Sequence, residues 1–149
     1  MVQKILTGAL FGFITVAVSA QVFAQADVNE KRQNIMKDNS AATKAIKAAV
    51  EAKDYATIEA KAKDVVGNAG KIVGAFPKGS TTGKTKATAA IWGKSEDFAE
   101  AAKNLGNAAS QLAATAKSGD DAAVTTKVKA LGDACGSCHK AFRAEKYGE

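Results

Sequence analysis

Histidine, proline and tryptophan each occur once in this 149-residue chain, and cysteine and methionine twice each. These scarcities narrow the classes open to it. With Pro77 as the lone proline and no run of alternating β-branched residues, the turn-and-strand punctuation of an all-β domain is missing. Aromatic residues make up 6% of the chain, and no block of Lys or Arg alternates with them as a stacking platform for nucleic acid requires. Nucleic acid is therefore not expected as a partner.

Long apolar runs are also absent, except at the start. The segment MVQKILTGALFGFITVAVSAQVFAQA has Lys4 near its beginning, an apolar stretch from Ile5 to Val18, and small residues at Ala20, Ala24 and Ala26. This is the order of a secretory leader, expected over residues 1–26 and cleaved after Ala24 or Ala26. A membrane anchor fits less well, because Thr7, Gly8, Gly12 and Thr15 dilute a stretch already short for a bilayer. The expectation is an exported, periplasmic protein without stable membrane association after processing. Removing Lys4 with the leader leaves a mildly basic chain, with 20 Lys and Arg against 15 Asp and Glu. These charges are spread among alanines at helical spacing, as on a solvated helix surface.

Four segments repeat at the helical period. The first, roughly Val28 to Ala52, turns Val28, Arg32, Ile35, Met36, Asn39, Thr43, Ile46 and Val50 inward. The second, Asp54 to Phe76, aligns Ile58, Ala62, Val65, Ala69, Ile72, Val73 and Phe76 and stops before Pro77. From Pro77 to Ile91 the chain loses its period and reads as a long crossing loop. Ser95 is placed to cap a third helix with Phe98, Ala101, Leu105, Ala108, Leu112 and Thr115 inward, and Ser118, Gly119 and Asp120 end it. A fourth, Asp121 to Lys146, puts Val124, Val128, Leu131, Cys135, Cys138 and Phe142 on one stripe. Residues 27–149 should thus form one all-α domain, an antiparallel four-helix bundle. Its alanine-rich inner layers leave room for something other than side chains.

Both cysteines and the single histidine fall in five consecutive residues: Cys135, Gly136, Ser137, Cys138 and His139. C-x-x-C-H is the signature of c-type haem attachment. On a helix, residues three apart lie one above the other, so both thiols can reach the two vinyl edges of one porphyrin. The next residue, His139, can then bring its imidazole to the iron. Three other readings fit less well. Structural zinc normally needs four Cys or His ligands, and only three exist. A redox dithiol belongs beside a βαβ pattern that this chain lacks. A disulfide between residues three apart closes almost no loop and would stabilise little.

With these features the sequence resembles the class II c-type cytochromes, the group containing cytochrome c′ and low-spin relatives such as cytochrome c-556. The similarity spans about Asp27 to Lys146. It rests on C-x-x-C-H close to the C-terminus, Arg32 and Gln33 in the first helix, Phe76 and Pro77 leading to Ile91 and Trp92, Phe98, and Arg143 four residues after His139. Cytochrome c′ is itself a standard example of the four-helix bundle, so the shared fold adds no independent support. The resemblance implies one covalent haem c, with Arg32 approaching a haem propionate and Arg143 near the haem on the His139 side. It also implies redox partner proteins and, in many members, a homodimer. Ala89 and Ala90 precede Ile91 where relatives often have a proline.

What completes the iron coordination decides the role. Met36, the only methionine outside the leader, sits one turn beyond Arg32 on the inward stripe. If its thioether binds, His139/Met36 ligation makes a low-spin electron carrier, which is the leading expectation. If Met36 only packs, as inward methionines commonly do, the iron is five-coordinate and high-spin and open to NO or CO. Relatives of the low-spin kind can carry the ligating methionine three residues later, where this chain has Asn39. Enzymatic turnover is not expected, since no second histidine can supply acid or base to a distal ligand.

Overall fold

The computed structural model describes the backbone of residues 15–146 and the side chains of residues 27–146. Most of the expected leader lies outside the described residues. The first helix already includes Thr15, well before its expected start near Val28, and among the described residues no helix is long and apolar enough to cross a membrane.

Four long helices form the described residues: α1 (Thr15–Glu51), α2 (Tyr55–Ile72), α4 (Ser95–Ala116) and α5 (Asp121–Phe142), with a short α3 (Ala90–Gly93) before α4. Two of the starts, those of α2 and α5, are capped by side chains. The Asp54 carboxylate accepts from the Thr57 amide, and that of Asp120 accepts from the amides of Ala122 and Ala123 at 3.0 Å each. Caps of this kind contribute about 1 kcal/mol apiece. Ser95 does not cap α4, contrary to expectation. It is the first helical residue, and the preceding Lys94 makes no capping bond, while Glu96 and Asp97 in the first turn complement the helix dipole instead.

Two other helix ends depart from the periodic reading. α2 stops at Ile72 and tightens into a 3₁₀ turn over Val73–Ala75. That change of winding swings Val73, expected inside, out to 47% exposure. α5 ends at Phe142 rather than Lys146, because Arg143 is extended and the chain turns to pair Ala87 with Arg143 in an antiparallel bridge.

The core is small-grained, with Ile46, Ile58, Val65, Leu112, Val124 and Leu131 essentially sealed from solvent. Between them lie Ala42, Ala49, Ala62, Ala69, Ala102 and Ala109, which let the helices approach closely. Ala101 and Ala108, expected inward, are half-buried, and their neighbours Ala102 and Ala109 take the core positions. A polar pair crosses the α1–α2 seam, where buried Asn68 donates to the Asn39 side-chain oxygen at 3.1 Å. α2 packs extensively on both α1 and α4, and α4 on α5, but α1 and α5 scarcely meet. The space between those two helices holds the site.

Candidate functional site

A cavity of about 490 Å³ opens between α1 and α5, within the size range of cofactor sites. α1 contributes Arg32 and Met36 to its wall, α5 contributes Cys138, His139 and Phe142, and Arg143 follows just beyond the end of α5. Ile72, Phe76, Ile91 and Phe98 form the apolar floor. Phe98 anchors that floor, meeting Phe76 edge-on at 5.0 Å between ring centres and Phe142 at 5.2 Å.

The thiols lie on one face of α5, half-buried and not bridged to each other. Cys138 lines the cavity, while Cys135, one turn earlier, packs against the core and is not among the lining residues. Burial pushes both thiols up from their ordinary value, and Cys135 adds a smaller upward push on Cys138. They are therefore neutral at pH 7, unlike the depressed thiols of redox dithiol sites. Among the described residues no three His, Cys, Asp or Glu side chains stand together as a metal-binding group. His139 reaches the same wall. Partial burial, and secondarily the Arg143 charge, hold its imidazole below the ordinary histidine value, which favours the neutral, ligating form. Two unbridged thiols one turn apart, with a neutral imidazole beside an apolar cavity, form a donor set that fits a covalently held haem.

Met36 lies on the cavity wall, half-buried, as its place on the stripe predicts. Asn39 does not line the cavity and is bonded across to Asn68 in α2. Arg32 is buried at the cavity edge, where its guanidinium donates to the Ala75 carbonyl at 2.7 Å, the Ser80 carbonyl at 3.0 Å and the Asn29 side-chain oxygen at 3.1 Å, and also to the Ser80 hydroxyl. It stacks 4.3 Å from the Phe76 ring centre, and burial lowers its pKa from the ordinary value. Arg143 lies on the wall with its side chain exposed.

Sequence reasoning passed over Asn29, Ser80 and the Lys84–Ala87 stretch that closes one side of the cavity. Asn29, three residues before Arg32, was findable as a buried partner at helical spacing. The stretch had no periodic signal to give, and it is held by backbone bonds to the end of α5: Thr88 N–H to the Phe142 carbonyl at 3.1 Å and Ala144 N–H to the Lys86 carbonyl at 2.8 Å.

Comparison with known proteins agrees with this geometry. The family model described as Cytochrome C' matches residues 27–143. A cytochrome c′ from Rhodospirillum rubrum is 47% identical over 72 residues, which is 48% of this chain and 49% of that one. A cytochrome c-556 from Agrobacterium fabrum is 35% identical over 98% of this chain and 99% of its own length. The crystal structure of cytochrome c′ from Thermochromatium tepidum superposes with a TM-score of 0.74 at 28% identity, over 81% of this chain and 97% of that one. The four-helix bundle, the C-x-x-C-H face of α5 on the α1–α5 cavity and the match over residues 27–143 place this chain in the cytochrome c′ family, whose members bind one haem c covalently.

Proposed function

We propose that Cys135 and Cys138 carry the haem as thioethers, that His139 is its axial ligand, and that the opposite face of the iron is left open in a five-coordinate centre able to bind NO or CO. The observation that carries this reading is the cavity lining. The lining, apolar at Met36, Ile72, Phe76, Ile91 and Phe98 and polar along α1 and residues 84–86, contains no second histidine and no carboxylate. When bound, the haem supplies a redox-active iron. The protein's residues do the rest. The thiols hold the group, the imidazole of His139 stays neutral and available, and the apolar floor of Ile72, Phe76, Ile91 and Phe98 favours small uncharged ligands. The family match, centred on cytochrome c′, supports the same choice. In this reading Met36 packs as a flexible apolar side chain, and Arg143 lies beside the haem on the His139 side.

A second reading is favoured by one observation. Met36 shares the cavity with His139, and a relative matched over nearly its full length is a cytochrome c-556. Ligation of Met36 would make the protein a low-spin electron carrier serving redox partner proteins. Both readings place the protein in the periplasm after removal of residues 1–26, and neither makes it an enzyme.

The haem assignment is tested by replacing Cys135 and Cys138 together with Ala. The double variant should lose all haem on acid-acetone extraction, whereas the parent keeps it. Extraction-resistant haem in the variant would sink the assignment.

A further inference from the structure

Residues 76–87 form a strap from the end of α2, past α1, to the C-terminal end of α5. Its far end is tied by the Phe142 and Ala144 backbone bonds. The near end depends on one buried cluster. Asn29, Arg32 and Ser80 are each about 5% exposed or less. Arg32 commits four N–H donors there: one to Ala75, two to the backbone and hydroxyl of Ser80, and one to Asn29. Asn29 in turn donates to the Thr82 carbonyl at 2.9 Å, and the Ser80 hydroxyl donates to the Pro77 carbonyl at 2.5 Å. Trp92 clasps the same turn from outside, its indole N–H 3.0 Å from the Pro77 carbonyl.

Gly83 shows how closely the strap sits on α1. It has a positive φ of +84°, and a Cβ there would lie 2.7 Å from the Asn29 side-chain nitrogen. Only glycine fits. The guanidinium has no carboxylate partner among the described residues, and every acceptor it uses is neutral. Its hydrogen bonds therefore serve to fix backbone, three of the four ending on residues 75–80. The strap then continues into Lys84, Thr85, Lys86 and Ala87, which form one side of the cavity.

We propose that Asn29, Arg32 and Ser80 act as a latch. They are positioning residues that hold the strap on α1 and so set how readily a small ligand reaches the iron. This gives Arg32 a role different from the propionate contact that the resemblance implies. The inference rests on the open-site reading above only for its ligand-access consequence.

The test uses haem-loaded protein with Arg32→Met, Asn29→Ala and Ser80→Ala. Amide hydrogen exchange is followed along the whole chain, together with the CO association rate of the reduced form. Arg32→Met should speed exchange over residues 78–87 by about ten- to a hundredfold, the scale expected for losing charge-assisted bonds, with α4 unchanged and CO association faster. Asn29→Ala and Ser80→Ala should give smaller, severalfold increases in the same stretch, and they carry the test if Arg32→Met does not fold. Arg32→Lys should not restore the parent, because a single ammonium cannot reproduce the planar fork. Unchanged exchange in the strap, acceleration spread evenly over all helices, or a loosened strap with an unaltered CO rate would each overturn the latch. A parent that binds no CO would overturn the five-coordinate reading instead, and the exchange pattern would then decide the latch alone.

Discussion

Replacing Phe98 tests whether the cavity floor is a structural element in its own right. The side chain is 5% exposed and makes two edge-to-face contacts, with Phe76 at an interplanar angle of 71° and with Phe142 at 76°. Truncating a buried Phe to Ala costs about 3–5 kcal/mol through lost transfer energy and the cavity left behind. Each aromatic pair contributes about 0.5–1.5 kcal/mol beyond area burial. Phe98→Leu keeps most of the buried volume but loses both ring contacts, so it should cost about 1–3 kcal/mol. Phe98→Ala should then reach about 4 kcal/mol, a large share of the roughly 5–15 kcal/mol that stabilises a domain. Urea unfolding of the haem-loaded protein measures both, as a lower midpoint at unchanged slope. Crossing Phe98→Leu with Phe142→Leu should give a coupling of about 1 kcal/mol. The reasoning fails if Phe98→Ala costs less than about 1 kcal/mol, or if the two Leu variants are strictly additive.

Other expectations follow from the same geometry. Met36→Leu should leave the iron's absorption bands and CO binding close to those of the parent if Met36 only packs, and a low-spin parent turned high-spin by this change would favour the second reading. The Asp121 carboxyl is held below its ordinary value, mainly by the hydrogen bond from Lys53 and then by that from Tyr55. A depressed carboxyl stabilises the fold above the ordinary carboxylate range, and that contribution is lost as pH falls through its folded value. Asp121→Asn should accordingly be less stable at neutral pH and show a shallower loss of stability in acid, measured by urea midpoints from neutral pH down to below 3.8, the ordinary value. A parallel pH dependence in parent and variant would show that the Lys53–Asp121–Tyr55 group contributes nothing.

The sequence made the donor set visible because its chemistry is local. Cys135, Cys138 and His139 fall within five consecutive residues, so a helical period alone puts them on one face, and the structure brings Cys138 and His139 to the cavity wall. Long-period features were also legible, including the four helices, the stop before Pro77, and Phe98 and Leu112 in the core. Alanine blurred the finer register. Where Ala101 and Ala102 stand side by side, composition cannot say which faces inward, and in α4 the answer is Ala102. Arg32 was read as inward, but its partners could not be, since Ala75 and Ser80 are more than forty residues away and periodicity does not report contacts at that separation. Val73 and the end of α5 were misjudged for a related reason. Each is set by a change of backbone winding that tertiary contacts impose and side-chain periodicity does not encode.

The most direct test of the proposed centre is the optical spectrum of the purified mature protein, recorded oxidised, reduced, and reduced under CO. A five-coordinate His139 centre predicts high-spin bands in both redox states and a prompt shift on adding CO. Low-spin bands, with a far-red thioether-to-iron feature in the oxidised form and no response to CO, would contradict it and place Met36 on the iron.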